Sequence, residues 1–348
     1  MLRFATGVRF LRTAQRQRVG KLFYGASSSA APVPMETGDL LMAGLSRSGG
    51  VSVKVVNCKA IVQEQLLRNN MSPTAASALG ELTVCGLMMG TGLKGQETLQ
   101  INLVGTQGLK NVMVITDGEC RIRGTVGNPA FEPSEDTNAA GVLLGEGQVQ
   151  VVRNHPTWNR PGNGITAMSG GISIPLNLAL YMAESEQRNG VMLADVLVTG
   201  NLCRHAIGIL VERLPDCGEY EIEASIKNLE GIEKTGLWKY LNRTDNERSS
   251  EAASDEGPIF RSFEPVLGRI LDDSLTGLGE QLRYTKNPTF KCTCGIDRVW
   301  RALRLLPKDE IRDIVNEGEE VSMKCEFCGE SYGLSCTEIK TEILDALQ

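Results

Sequence analysis

The hydrophobic pattern of the first two thirds of the chain predicts short strands and helices in succession. Residues 51–57 are rich in β-branched side chains and predict a strand, and residues 59–67 predict a short helix. A longer helix is predicted from Pro73 to about Gly90, because Ser72 can cap it, Pro73 suits its first turn and apolar residues recur along it.

Short strand-like runs separated by glycine-containing turns follow this helix. Residues 99–104, 112–115 and 120–125 have the pattern of an antiparallel meander. Further strands are predicted at 149–153, 191–199 and 206–213, with a Pro/Asn/Gly loop and a helix at 176–186 among them. The pattern predicts an α+β fold whose core domain, residues 36–215, has an antiparallel sheet and packed helices.

The chain changes character after Pro215. Ile222, Ile226 and Leu229 recur at helical spacing among charged residues and predict an amphipathic helix. Residues 242–257 contain no apolar residue larger than alanine and are predicted to be disordered, and a second apolar segment covers 260–282. Residues 216–284 are therefore predicted to form a partly helical, flexible linker with apolar faces.

Four of the ten cysteines form two close pairs near the C-terminus. Thirty residues separate Cys292 and Cys294 from Cys325 and Cys328, giving the motif C-x-C-x30-C-x2-C. Four thiolates in two pairs are the soft, tetrahedral ligand set that structural Zn²⁺ prefers. The spacing predicts one zinc ion, with an iron–sulfur cluster and four unliganded thiols as alternatives.

The segment that holds this motif, residues 285–348, is predicted to be a small zinc domain. Residues 297–305 and 307–315 are predicted to form two short helices, and their apolar stripe is Val299, Trp300, Leu303, Ile311 and Ile314. A domain of this size has a marginal apolar core, whereas structural zinc contributes about 10 to 16 kcal/mol to folding. Loss of the metal is therefore expected to unfold the domain.

The distribution of charge suggests an N-terminal targeting segment. The formal net charge is −6, but residues 1–35 contain six basic side chains and no acidic one. This arginine-rich stretch, which also contains a run of serines, is typical of an organelle transit peptide. We predict a transit peptide at 1–35 and a location in the mitochondrial matrix, with a basic tail on a cytoplasmic protein or a plastid address as alternatives.

The remainder of the chain excludes two classes of partner. Without its first 35 residues the chain carries a net charge of about −12, which would repel nucleic-acid phosphates. No later run is long and apolar enough to span a bilayer. Neither nucleic acid nor a membrane is expected to be a partner.

Three other motifs are candidate functional sites. Residues 90–95 spell G-x-G-x-x-G, but they follow a helix and precede a strand, so a helix-ending turn is the better interpretation than a dinucleotide site. Cys203 and His205 could form a nucleophile pair, although a packing role is favoured. Cys336 lies close to the four-cysteine motif in the sequence and is a candidate resolving thiol.

The motifs of the sequence resemble those of the heat-shock protein 33 family of chaperones, the 33 kDa chaperonins. The C-terminal resemblance rests on the stretch from Phe290 to Cys294, on Ala302-Leu-Arg-Leu-Leu-Pro307, and on Cys325-Glu-Phe-Cys-Gly329 followed by Tyr332. Core segments also occur in the family's order: Ala78-Leu-Gly-Glu-Leu82, Thr98-Leu-Gln-Ile101, Arg123-Gly124, Ser185-Glu-Gln187 and Leu214-Pro215. The resemblance runs from about residue 38 to 345 and is weakest in the linker.

The resemblance implies a redox-regulated holdase rather than an enzyme. The reduced, zinc-bound protein would be inactive, and oxidants would convert the ligands to two disulfides, Cys292 with Cys294 and Cys325 with Cys328, releasing zinc. The zinc domain and linker would then unfold, and the protein would form a homodimer and hold unfolding client proteins. The alternatives are a constitutive zinc-ribbon module for protein interaction and a thiol-disulfide oxidoreductase that uses Cys325 and Cys328.

Overall fold

The computed structural model describes residues 38–46, 48–133, 143–215, 280–318 and 321–344, together with 217–221, 223, 227, 229, 236 and 237. The chain separates into two compact units, a core unit (Met1–Phe290) and a C-terminal unit (Lys291–Gln348). Four predictions lie wholly or mostly outside the described residues: the transit segment 1–35, Ile222 and Ile226 of the linker helix, the disordered insert 242–257, and the apolar segment 260–282 up to residue 279.

The core unit is built from two sheets and the helices between and beside them. The strands are β1 (Leu40–Ser46), β2 (Val51–Asn57), β3 (Thr98–Gly105), β4 (Asn111–Asp117), β5 (Arg121–Val126), β6 (Gly147–Asn154), β7 (Gly162–Met168), β8 (Gly190–Thr199), β9 (Leu202–Arg213), β10 (Glu280–Lys286) and β11 (Thr289–Phe290). The helices are α1 (Lys59–Arg68), α2 (Pro73–Met89) and α3 (Ile174–Ser185).

The strands assemble into a five-stranded sheet of order β10-β1-β2-β9-β8 and a six-stranded sheet of order β11-β5-β4-β3-β6-β7. All pairings are antiparallel except that of β11 with β5, which is parallel. The predicted antiparallel α+β class is therefore confirmed. The structure adds four strands to the core unit that the hydrophobic pattern did not indicate: β1, β7 within the predicted Pro/Asn/Gly loop, β10, which begins within the predicted linker, and the two-residue β11.

Helix α2 forms the centre of the core unit. The Ser72 hydroxyl accepts a hydrogen bond from the Ala75 amide and caps the helix, as predicted. Apolar residues surround the helix on nearly all sides, and it packs against β8 and β9 of one sheet and β4 and β5 of the other. Its close approach to β9 requires Gly208, since a Cβ there would lie 2.2 Å from a Val84 methyl carbon.

The second face of the five-stranded sheet carries its own apolar cluster. The strands contribute Met42, Val51, Val53, Val55, Ile207, Ile209 and Val211. Three residues from the region after the core strands complete the cluster: Cys217, Leu229 and Leu237, which are 6%, 0% and 5% exposed. We call these residues the linker-covered face. The apolar segment predicted around Leu229 thus contributes at least this residue to covering the core.

The C-terminal unit is a small α+β module. It contains α4 (Ile296–Leu303), α5 (Lys308–Glu317), β12 (Val321–Lys324), β13 (Ser331–Leu334), a short helix α6 (Cys336–Ile339) and a π-helical turn (Lys340–Leu344). The two predicted helices are confirmed, whereas the antiparallel hairpin β12–β13 was not predicted. Throughout the described part of the chain, every helix is too short or too polar to cross a membrane.

Candidate metal centre

Two backbone segments of the C-terminal unit carry the four predicted cysteines. Cys292 and Cys294 lie in the irregular stretch between β11 and α4, and Cys325 and Cys328 lie in the turn that joins β12 to β13. The turn is closed by hydrogen bonds from the Cys325 amide to the Glu330 carbonyl (2.8 Å) and from the Gly329 amide to the Cys325 carbonyl (2.9 Å). Gly329 has a φ of 73°, which glycine adopts without the steric cost that other residues incur.

The fold brings the sulfur atoms of all four cysteines together. The four Sγ atoms lie within 4.8 Å of one another. The shortest contacts join the two sequence pairs: Cys292 to Cys325 at 3.7 Å and Cys294 to Cys328 at 3.3 Å. Cysteines 33 and 34 positions apart in the sequence therefore come together in one compact cluster.

The cluster has the donor set and dimensions of a tetrathiolate zinc site. Four sulfurs placed tetrahedrally at about 2.3 Å from a central Zn²⁺ would be about 3.8 Å apart, close to the 3.7 Å between Cys292 and Cys325. Thiolate is also the ligand type that favours zinc over magnesium or calcium. The residues fit the metal that the sequence predicts.

Hydrogen bonds favour the charged form of one sulfur in this cluster. Burial alone would raise the pKa of Cys294, but hydrogen bonds from Tyr332 and from the other thiols outweigh it and lower that pKa to about 7. Burial, together with hydrogen bonds to Cys294, raises the pKa of Cys328. The pKa of Tyr332 is raised because its hydroxyl donates to Cys294. Of Cys294 and Cys328, Cys294 is therefore the thiol that ionises first.

A small apolar core holds the two cysteine segments in place. Its buried members are Val299, Leu303, Ile311, Leu334, Ile339 and Ile343, with Trp300, Ile314, Val315, Val321 and Tyr332 partly buried around them. All five residues of the predicted apolar stripe belong to this cluster. Six fully buried side chains are few for a folding unit, so a metal crosslink has a large effect on its stability.

The remaining cysteines are placed differently. Cys58, Cys85, Cys120, Cys203 and Cys217 are buried in the core unit. Burial raises the pKa of Cys203 to about 12, which makes its thiol a poor nucleophile at neutral pH. Cys336 lies in α6, where its thiol is 3.7 Å from the Ile314 carbonyl oxygen.

Two further motifs have structural roles. The Cys203 thiol donates to the carbonyl oxygen of His205, while the His205 ring lies 2.9 Å from the Asp195 carboxylate. The imidazole is thus engaged by a carboxylate rather than by the thiol. Residues Gly90–Gly92 form a turn of 3-10 helix at the end of α2, as the helix-ending interpretation predicts.

Tyr332 is the residue of this centre whose contribution the motif spacing did not reveal. Its hydroxyl lies 3.1 Å from the Cys294 sulfur, although 38 positions separate the two residues. The sequence signal was its position within the segment that resembles a known family. Its role as a hydrogen-bond donor becomes visible only when β13 is paired with β12.

Comparison with known proteins places these features in a family context. The family model described as Hsp33 protein matches residues 39–335. The 33 kDa chaperonin of Clostridium botulinum (strain Loch Maree / Type A3) is 26% identical over 307 residues, which are 86% of this chain and 96% of that protein. The 33 kDa chaperonin of Clostridium perfringens (strain SM101 / Type A) is 27% identical over 310 residues, covering 86% and 90%.

A solved structure shares the fold. The crystal structure of the 33 kDa chaperonin (heat shock protein 33 homolog) from Thermotoga maritima superposes with a TM-score of 0.72 at 22% sequence identity. The match covers 89% of this chain and 99% of that one. The two-sheet core and the C-terminal module thus follow a fold already known from crystallography.

Proposed function

The chain belongs to the Hsp33 family, and from this premise we propose that it is a redox-regulated chaperone switched by its C-terminal four-cysteine zinc site. Chaperones of this family bind unfolding client proteins and are not enzymes. The observation that carries the proposal is the cluster of four Sγ atoms within 4.8 Å in a unit with a very small apolar core.

In the reduced state Cys292, Cys294, Cys325 and Cys328 hold one zinc ion as thiolates. The metal crosslinks the segment before α4 to the β12–β13 turn and so supplies the stability that the small core lacks. Tyr332 orients the Cys294 sulfur by donating a hydrogen bond to it. The predicted boundaries remain part of this proposal: a core domain at 36–215, a linker at 216–284 and a redox-switch domain at 285–348.

Oxidation of the four cysteines would convert the reduced, zinc-bound state into a disulfide-bonded state without zinc. One peroxide molecule accepts two electrons from a pair of thiolates and, with two protons, leaves as two molecules of water while one S–S bond forms. We assign the two disulfides to Cys292 with Cys294 and to Cys325 with Cys328. A sulfur in a disulfide no longer donates as a thiolate, so the metal crosslink is lost and the C-terminal unit unfolds.

Unfolding of the C-terminal unit is then transmitted to the linker-covered face. Leu229 and Leu237 bury apolar strand residues of the five-stranded sheet that would otherwise contact water. Release of these leucines would expose valine and isoleucine side chains of β2 and β9 in one continuous patch. Such a patch can hold the apolar segments of an unfolding client, and it can also pair with a second copy in an oxidised homodimer. Nucleic acids and membranes are not part of this function.

Location in the mitochondrial matrix completes the proposal. Its support is the acid-free, arginine-rich segment before Glu36, with cytoplasm or plastid as the alternatives. Import should remove roughly the first 25 to 40 residues, a range whose upper limit reaches the first residue of β1. N-terminal sequencing of the native protein tests this, and an intact Met1-Leu-Arg terminus in a cytoplasmic fraction would refute it.

The function is tested by measuring zinc content and client protection on the same samples. Full-length protein is assayed before and after peroxide treatment with mild heat, using light scattering of an aggregating client. We expect about one equivalent of zinc and little protection before oxidation, then zinc release and strong protection afterwards. A Cys325→Ser, Cys328→Ser double variant should lack zinc, whereas Cys336→Ser, the matched control, should retain it.

The alternatives give different results in this experiment. A constitutive zinc-ribbon module would protect equally before and after peroxide and would keep its metal. A thiol-disulfide oxidoreductase would turn over a dithiol substrate without protecting the client. A full equivalent of zinc in the double-serine variant would show that the ligands have been assigned wrongly.

A further inference from the structure

A cavity lies in the core unit beside the C-terminal end of α3 and the β6–β7 edge of the six-stranded sheet. Its volume is about 560 Å³, within the range of roughly 300 to 1,000 Å³ found for small-molecule sites. Six of the nine residues that line it have polar side chains: Arg153, Asn163, Tyr181, Ser185, Glu186 and Arg188. The redox switch proposed above uses none of these residues.

A chain of five charged side chains runs from this cavity to the other sheet. The Arg153 guanidinium donates to both carboxylate oxygens of Glu186, at 3.0 and 3.2 Å. Arg188 donates to Glu186 at 2.8 Å and to Glu212 at 2.9 Å, and Glu212 also pairs with Lys54. Three cations and two carboxylates leave the group with a net charge of +1.

The excess positive charge is accompanied by free donors at the cavity. Arg153 bonds Glu186 through Nε and Nη2, and its Nη1 group has no partner among the described residues. A guanidinium has five N–H donors in a planar fork that matches a carboxylate. The Arg153 edge that faces away from Glu186 can therefore receive one more anionic group.

Tyr181 provides a second, independent indication of a ligand. The residue is 3% exposed and lines the cavity, yet among described residues its hydroxyl has no hydrogen-bond partner. Gly164 makes room for this hydroxyl, because a Cβ at that position would lie 2.3 Å from it. Burial, with the nearby Glu186 charge, raises the pKa of Tyr181, so the phenol keeps its proton and can donate it. The Tyr181 hydroxyl is thus a donor that a molecule bound in the cavity can engage.

We propose that this cavity binds a small organic molecule through a carboxylate group. The carboxylate accepts hydrogen bonds from the free edge of Arg153 and from the Tyr181 hydroxyl, and the rest of the molecule lies against Asn163 and Ser185. One carboxylate neutralises the net charge of +1, whereas a phosphate dianion would leave a surplus negative charge. The carboxylate could belong to a free metabolite or to the C-terminus of a polypeptide.

The site is tested in the full-length reduced protein with 4-fluorobenzoate and its neutral isostere 4-fluorobenzamide, observed by fluorine NMR line broadening. We expect concentration-dependent broadening of the benzoate only. Exposed Ser185 offers a matched pair of variants, because Ser185→Asp adds a negative charge to the cavity wall and Ser185→Asn adds none. Benzoate binding should be about tenfold or more weaker in Ser185→Asp than in Ser185→Asn, because the two side chains differ in charge and hardly in size.

Arginine variants and peptides complete the design. Arg153→Gln should abolish broadening, whereas Arg121→Gln, which removes an ion pair on β5 three strands away from β6, should not. A short peptide that displaces benzoate more strongly with a free C-terminal carboxylate than with a C-terminal amide identifies a polypeptide terminus as the source. Failure of both peptides to displace benzoate identifies a free metabolite, and equal displacement by both overturns the proposal. Equal broadening of benzoate and benzamide, or equal benzoate binding by the two folded Ser185 variants, would overturn the proposal.

Discussion

The Tyr332 hydroxyl lies 3.1 Å from the Cys294 sulfur and ties β13 to the segment that carries the first cysteine pair. This hydrogen bond connects two parts of the C-terminal unit that the candidate metal would also connect. Apart from the zinc ligands themselves, this hydrogen bond is therefore the interaction whose removal tests the zinc affinity most directly.

Substituting Tyr332→Phe removes the hydroxyl and leaves the ring in the small apolar core. Loss of a hydrogen bond to a metal ligand typically costs about 10- to 100-fold in metal affinity, so we expect zinc to bind at least about tenfold more weakly. Competition with a chromophoric chelator measures this. Tyr220→Phe, which changes an exposed tyrosine of the core unit, is the control and should bind zinc as the parent does. Equal affinity in both variants would contradict the role of Tyr332.

A second prediction concerns Glu81 on α2. Burial, together with the negative charge of nearby Asp195, raises the pKa of Glu81 to about 8. A raised pKa means that the folded state favours the protonated acid. The contribution to stability is complete below the unfolded pKa of about 4.3 and is lost as the pH rises through about 8.

The free energy of unfolding should consequently fall by roughly 2 to 3 kcal/mol between pH 6 and pH 9 through this residue alone. Urea unfolding of the reduced protein at several pH values measures it, and Glu81→Gln should flatten the profile. Glu97→Gln is the matched control and should keep the parental pH dependence. A parental profile in Glu81→Gln would show that this carboxyl ionises normally in the folded protein.

Much of the core unit could be predicted because its elements carry local signals. Ser72 and Pro73 mark the start of α2, and alternating apolar residues mark β3, β4 and β6. The strands that were missed lack such signals: β7 reads GNGITAM, with glycines in place of apolar residues, and β10 owes its place to pairing with β1. Because β1 and β10 are more than 200 positions apart, neither sequence contains a periodic pattern that identifies the other strand as its partner.

The candidate metal centre was predictable for a different reason. Thiolate pairs need fixed short spacings to reach one ion, so Cys292, Cys294, Cys325 and Cys328 are visible as a motif. The cavity beside α3 has no such constraint. Arg153, Tyr181 and Arg188 are separated in the sequence and meet only because α3 packs against β8 of one sheet and against β6 and β7 of the other, which no local pattern encodes.

A third prediction concerns the buried ion pair between Lys54 and Glu212, whose side chains are 11% and 6% exposed. Glu212→Gln leaves Lys54 and part of Arg188 without a compensating charge, which should lower the free energy of unfolding by about 3 to 5 kcal/mol. Glu64→Gln, which breaks an exposed pair with Arg68, should cost less than about 1 kcal/mol. Adding Lys54→Met to Glu212→Gln should recover part of the loss. A Glu212→Gln variant as stable as the Glu64 control would contradict this account.

A substitution at Leu229 can expose the linker-covered face without changing any cysteine. The residue is fully buried in the cluster with the β2 and β9 side chains. Leu229→Ala should weaken this packing by about 2 to 5 kcal/mol and give the reduced protein partial chaperone activity together with stronger binding of a hydrophobic dye. Leu67→Ala, at a position that is 56% exposed, should change neither. Parental activity and dye binding in Leu229→Ala would mean that this leucine does not restrain the chaperone.

Removal of the zinc domain tests the proposed inhibition as a whole. The cut should follow Phe290 rather than the predicted domain boundary at 285, because β11 pairs with β5 and the Arg68 guanidinium lies over the Phe290 ring at 5.2 Å. A chain ending at Phe290 keeps these contacts and the whole core unit. If the zinc domain restrains the linker, this truncated protein should suppress client aggregation without any oxidant.

The expected size of the effect follows from population arithmetic. Moving the linker from 1% to 99% released requires about 5.5 kcal/mol of differential stabilisation, less than the roughly 10 to 16 kcal/mol that a structural zinc site contributes to folding. Light scattering of a client and hydrophobic-dye binding are compared for truncated and full-length reduced protein, with circular dichroism to establish that the truncated chain is folded. Because the core unit is retained intact, a folded truncated protein as inactive as its reduced parent would show that the zinc domain is not an inhibitor.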